Sequence, residues 1–237
     1  MALSPHDNEA FLREVDEGVR RDRMTDFWTR WGKLAAAVLV LALAAFGGFL
    51  YWQHRQTEAA GEQGVQLSQA FEALGSGNVT GAQPTLATLA TDGRDGYRAL
   101  AKFTQADILL QKNDLKGAAA KFAEVASDTS LGKPFRDLAL VRQTSAEFDT
   151  LKPQVVIERL RPLAVPGSAF LGSAGEMVAI SHLNAGRRDL AGQLFAQIAR
   201  DEGVPESLRQ RAVQMAGAMG VDAVPAPAGA AANQEAR

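Results

Sequence analysis

Ala106-Asp107-Ile108-Leu109-Leu110-Gln111-Lys112-Asn113-Asp114, with Gly117-Ala118-Ala119-Ala120-Lys121-Phe122 just after it, carries the pattern on which the fold turns. The first run ends a helix at the turn signal Asn113-Asp114, and the second opens another. Ala106 and Ala118 stand 12 positions apart, where two antiparallel helices would cross closely, and Phe122 follows one turn later. The same arrangement recurs on both sides. Ala82, Ala118, Val156 and Ala191 align at separations of 36, 38 and 35 residues. Four positions later stand Leu86, Phe122, Leu160 and Phe195, and three beyond those Leu89, Val125, Leu163 and Ile198. Twelve positions before the crossing residues come Ala70, Ala106, Thr144 and Ala179, all small.

Turn signals precede each second helix: Gly77-Asn78, Asn113-Asp114, Lys152-Pro153 and Gly186-Arg187. A period near 34 residues, with small crossing residues and a large apolar residue one turn on, resembles the tetratricopeptide repeat. Leu109 stands where that repeat commonly has an aromatic, and the third unit fits least well, with Val156 at the crossing. An isolated helix pair cannot cover its own apolar face, so neighbouring pairs stack and share a core. The expected helices are 54–74, 79–91, 95–112, 115–127, 134–149, 153–164, 168–185 and 188–201. A ninth, 205–219, follows Val204-Pro205 and would cap the stack with Leu208, Ala212, Met215 and Met219.

Composition agrees with helices. Hydrophobic residues make up 46% of the chain and aromatics 7%, a balance unlike that of a sheet. The formal charge of −2 offers no broad basic field, so nucleic acid is not expected as a partner. The absence of cysteine excludes disulfides and thiolate chemistry.

Residues 34–52 read LAAAVLVLALAAFGGFLYW, nineteen positions without a charge. As a helix that run is roughly 28 Å long, close to the hydrocarbon thickness of a bilayer. Trp28 and Trp31 before it, and Tyr51 and Trp52 at its end, suit the two membrane interfaces. The preceding region is too long and the apolar run too extended for a cleaved signal peptide. Arg20, Arg21, Arg23, Arg30 and Lys33 precede the span, whereas only Arg55 follows within twenty residues. Cations remain in the cytoplasm, which predicts an inward amino terminus and an outward repeat domain. Ala44 and Gly48 form a small-xxx-small pair that would let another helix approach.

The expected organisation is all-α: a cytoplasmic amphipathic segment (1–33), a single transmembrane helix (34–52), a tetratricopeptide-like α-solenoid of about four helix pairs plus a capping helix (53–220), and a disordered tail (221–237). The first helix of the solenoid would run on from the span, close to the bilayer. Ser4-Pro5-His6-Asp7 reads as a helix start, with Phe11, Leu12, Val15 and Val19 as a short apolar face. The tail contains Pro225-Ala226-Pro227-Ala228-Gly229 and little to bury.

No catalytic constellation is legible. His6, His54 and His182 lie far apart, and His182 falls at an inward packing position. The loops 75–78 and 93–96 lack the strand that a phosphate-binding loop requires. Asp201 and Glu202, adjacent on a helix, diverge rather than pair. No cofactor, metal or small-molecule substrate is expected.

The order of parts resembles a bacterial family, the ancillary SecYEG translocon subunits (YfgM-like). The likeness runs through the start Phe11-Leu12-Arg13-Glu14-Val15-Asp16-Glu17-Gly18-Val19-Arg20-Arg21-Asp22, then Phe27-Trp28 and Trp31-Gly32-Lys33 leading into one span. A degenerate repeat domain follows, and the tail has no counterpart. The resemblance implies an inner-membrane protein with a periplasmic domain. Its implied partners are the SecYEG translocon, a membrane-anchored prolyl-isomerase-like chaperone, and emerging secreted chains. A structural organiser of envelope or division complexes is the alternative. Binding is expected on the concave face of first helices, around Lys102, Gln105 and Arg142.

Overall fold

The computed structural model describes residues 5–223, with side chains from Trp31 onward except those of Ala35 and Ala59. The described residues form nine α-helices and no strand: α1 (Pro5–Gly75), α2 (Val79–Asp92), α3 (Asp95–Gln111), α4 (Leu115–Ser127), α5 (Lys133–Glu147), α6 (Pro153–Leu160), α7 (Leu171–Asn184), α8 (Arg188–Arg200) and α9 (Glu206–Ala218). The chain divides into two compact units, Met1–Gly61 and Glu62–Arg237.

The first unit is the amino-terminal part of α1. One continuous helix covers both 34–52 and 54–74, because Gln53, His54 and Arg55 carry no helix breaker. This helix is long and apolar enough to cross a membrane. Its described side chains over residues 34–52 are all uncovered by protein, Leu41, Phe46 and Phe49 included. A surface apolar all round fits a helix surrounded on every side, as in a bilayer, rather than one covered by a single partner face. At its end Arg55 folds back, its Nε donating to the Tyr51 hydroxyl at 3.3 Å and its guanidinium lying 5.9 Å from that ring's centroid.

The second unit stacks helix pairs. Its core falls into four clusters, each drawn from one pair and the first helix of the next. Leu67, Ala82, Leu86 and Leu89 pack with Ala101 and Ile108 of α3. Ala106, Ala118, Phe122 and Val125 pack with Ala139 of α5. Val141, Val156 and Leu160 pack with Ala174 and Val178 of α7, and Ala179, Phe195 and Ile198 with Ala212 and Ala216 of α9. Apolar burial is thus passed along the stack, each pair covering its neighbour's face.

The turns repeat as well. Gly77, Asn113, Gly186 and Gly220 all take positive φ, between 60° and 82°. At each, the next residue's N–H reaches back to the carbonyl five residues earlier: Asn78 to Ala73, Asp114 to Leu109, Arg187 to His182 and Val221 to Ala216. This closes the ends of α1, α3, α7 and α9 with a left-handed cap, whereas α5 ends with the Thr150 and Leu151 N–H groups both donating to the Glu147 carbonyl. Asn78 and Asp114 then cap the following helix, their side chains accepting from the N–H of Gly81 at 2.9 Å and of Gly117 at 2.8 Å. The end of α9 thus has the same geometry as the ends of α1, α3 and α7.

Three local differences from the sequence reading have physical causes. α6 stops at Leu160 rather than 164, because Pro162 supplies no N–H for another turn, although Leu163 remains buried. α7 begins at Leu171 rather than 168, after a loop in which Gly167 takes φ +78°. Val221, Asp222 and Ala223, read as the start of the tail, are packed: Ala223 is buried, and the Asp222 carbonyl accepts from Arg200 at 2.6 Å. Gly192 makes room there, since a Cβ on it would meet Val221 Cγ2 at 2.7 Å. Residues 1–4 and 224–237, including Ser4 and the Pro/Ala-rich run, lie outside the described residues.

Candidate protein-binding surface

The residues aligned by the repeat all lie inside. Ala82, Ala118, Val156 and Ala191 are buried, as are Leu86, Phe122, Leu160 and Phe195 one turn on. Ala70, Ala106, Thr144 and Ala179 face them from the first helices, also buried. Thr144 brings a hydroxyl into the core and satisfies it on its own helix, donating to the Leu140 carbonyl at 2.8 Å. With Thr144 and Val156 replacing two alanines, α5 and α6 meet over a thinner contact than α3 and α4 or α7 and α8.

First and second helices lie on different sides of the stack. Among α2 to α9, α3 touches α5, α5 touches α7 and α7 touches α9, whereas α2, α4, α6 and α8 do not touch one another. First helices therefore crowd together on the inner side, and second helices splay apart on the outer.

The inner side is apolar. Taking the buried small residue of each first helix as origin, the fourth position on is Leu74, Leu110, Phe148 and Leu183, every one half-buried. Three positions before the origin, Leu67, Phe103 and Val141 are buried, and the fourth unit has Glu176. Further out, Phe71 is 46% exposed, Leu100 40% and Leu138 37%. These positions share one helix face by their three- and four-residue spacing. Two ion pairs cross the row. Arg142 of α5 reaches Asp107 of α3 at 2.5 Å, and Arg211 of α9 reaches Glu176 of α7 at 2.6 Å. The Glu176 hydrogen bond, then its charge, raises the pKa of Arg211 above its ordinary value.

Of the three residues expected on this face, only Arg142 belongs to it, engaged with Asp107 and with the Phe122 ring. Lys102 and Gln105 instead line a groove between α2 and α4 on the outer side. Counted from the buried small residue of each helix, Arg142 stands two positions before it, Gln105 one and Lys102 four, so the two α3 residues are turned away from Arg142 by about 100° and 160°. The apolar fourth position of the row escaped the sequence reading, although its recurrence at 74, 110, 148 and 183 was open to inspection.

Of the residues assigned to the membrane, Trp31, Tyr51 and Trp52 are more than half exposed and Lys33 is exposed. The side chains of Trp28, Arg20, Arg21, Arg23 and Arg30 lie outside the described residues, as does that of His6. His54 pairs with Glu58 at 3.2 Å on the exposed surface of α1. His182 is half-buried, with a buried, unpartnered Nδ1; burial first, and then the charge of Arg187, lower its pKa. Asp201 organises its loop, accepting from the N–H groups of Gly203 at 2.8 Å and Gly167 at 3.2 Å. No group of three metal-ligating side chains occurs among the described residues.

A stack of helix pairs with exposed apolar side chains on its first helices is a protein-interaction module of the α-solenoid class. Residues 25–216 match the tetratricopeptide repeat-like domain, and the chain belongs to that family. It is similar to the ancillary SecYEG translocon subunit of Escherichia coli (strain K12), 29% identical over 124 residues, 52% of this chain and 57% of that protein. The chain thus spans little more than half the length of this relative. No solved structure matches.

Proposed function

We propose that the chain is a non-enzymatic, membrane-anchored scaffold that works beside the SecYEG translocon and holds secreted polypeptides as they emerge. The uncovered apolar row on the first helices carries this reading, Phe71, Leu100 and Leu138 above all. A folded protein offers few apolar segments to such a row, whereas a chain that has not yet folded offers many. Similarity to a translocon subunit supports the setting. In this reading residues 1–33 stay in the cytoplasm, 34–52 cross the inner membrane, and the repeat domain is periplasmic, within reach of a membrane-anchored prolyl-isomerase-like chaperone.

Photo-crosslinkers at Leu100 and Leu138 in native membranes test this. Adducts with SecY, a periplasmic chaperone or a stalled secreted chain are expected. Recovery of none of these, under conditions that capture known translocon subunits, overturns the proposal. Protease added outside spheroplasts should digest the repeat domain; digestion only after the inner membrane is opened would reverse the orientation.

A further inference from the structure

Away from the inner row, a groove opens on the opposite side of the repeat domain. Two depressions of about 480 and 350 Å³ share Ala87, Gln105 and Lys121 and form one groove over α3, walled by α2 and α4. It exists because α2 and α4 splay apart without touching.

The charge in this groove is unbalanced. Arg98, Lys102, Lys112 and Lys121 line it, against Glu124 and Asp128, in a chain whose net charge is −2. Arg98 is matched, lying 3.0 Å from Asp95 and 3.5 Å from Asp128. Glu124 alone serves two ammonium groups, Lys121 at 2.8 Å and Lys102 at 3.3 Å. At the far end Lys112 has no carboxylate beside it in the lining. The positive excess therefore runs from Lys102 to Lys112, with Gln105 between them.

We infer that this groove binds an extended acidic segment of a partner polypeptide. Lys102, Gln105 and Leu109 of α3, with Lys112 just past its end, fall on one stripe about 15 Å long at the rise of an α-helix. That length matches four or five residues of extended chain, and exceeds what a single phosphate spans. Ala87 and Ala90 on the α2 wall are small enough to admit a peptide backbone. A carboxylate placed between Lys102 and Lys121 would complete the pairing that Glu124 leaves half made. A second, about four residues along, would meet Lys112. This is a binding surface distinct from the apolar row, and it does not depend on the translocon reading.

The test uses the full chain in phosphatidylcholine nanodiscs and a fluorescein-labelled decapeptide alternating Glu and Ala. The Glu peptide should bind about ten-fold more tightly than its Gln–Ala counterpart, and lose that advantage in 0.5 M salt. The exposed substitution Lys112→Glu should weaken it, and Lys112→Glu with Lys121→Glu should transfer preference to a Lys–Ala decapeptide, a reversal that misfolding would not produce. Leu100→Glu and Leu138→Glu should leave binding of the Glu peptide unchanged, separating this groove from the inner row. Equal binding of the Glu and Gln peptides would overturn the inference. So would phosphatidylglycerol vesicles that bind through Lys112 when the peptide does not.

Discussion

Arg142 on α5 holds Asp107 on α3, 35 residues earlier, by Nη2–Oδ1 and Nη1–Oδ2 contacts of 2.5 and 3.4 Å. The same guanidinium lies 4.9 Å from the centroid of Phe122, the large residue of the α4 crossing. One side chain thus ties a repeat to its neighbour by charge and by contact with the core.

Both members of that pair are more than a third exposed, so screening limits the worth of the charge contact itself. Arg142→Ala should cost about 1 kcal/mol, part of it from lost cover over Phe122. Lys at this position should restore only part, because an ammonium lacks the planar fork. A double-mutant cycle with Asp107→Asn, read by urea unfolding of the full chain in mild detergent, should give a coupling of roughly 0.2–1 kcal/mol. Strict additivity would show that the contact contributes nothing.

At the crossing the argument is steric. Ala118 and Phe122 are fully buried among Ala106, Val125 and Ala139. Ala118→Leu should destabilise by about 1–3 kcal/mol through overpacking, and Phe122→Ala by about 3–5 kcal/mol through the cavity it leaves. Unfolding midpoints that barely move would mean that the backbones are not in close contact here.

Gly117 is required by its neighbour rather than by its own backbone. A Cβ there would come within 2.3 Å of Asp114 Oδ2, whose partner oxygen caps α4. Gly117→Ala should therefore cost about 1 kcal/mol by displacing the cap. With Asp114→Ala already in place, the same change should become neutral or stabilising by about 0.5–1 kcal/mol, since alanine is the better helix former. A thermal melt of all four proteins decides between this clash and a need for flexibility.

Glu124 links fold to pH. Burial raises its pKa, but hydrogen bonds and charge from Lys121 and Lys102 outweigh this and hold it below its ordinary value of 4.5. The resulting stabilisation is fully present above pH about 4.5 and is lost as pH falls through the lower folded value. The carboxylate is 43% exposed, so the effect should stay under about 1 kcal/mol. Glu124→Gln should be the less stable protein at pH 7, and the difference should close toward pH 3. A gap that widens on acidification would reverse the assignment.

Much of this architecture was readable from residue pattern. The small residues at 70, 106 and 179 and the large ones at 86, 122, 160 and 195 recur because each unit solves the same packing problem, so period and side-chain size mark the crossings. The weak third unit was visible at Val156 for the same reason. Two stops were not read. Pro162 ends α6 before the apolar pattern does, and Val221–Ala223 look like tail until Gly192 opens a place for them.

Local order in the chain settled the helices, their turns and the apolar span, since spacing, cap residues and hydrophobic length act between near neighbours. Which faces remained uncovered was set by the stacking. First helices press together and second helices splay, so Lys102 and Arg142, two register steps apart, open onto opposite sides. That outcome depends on the rotation between successive pairs, a property of contacts some 35 residues apart that no single repeat contains.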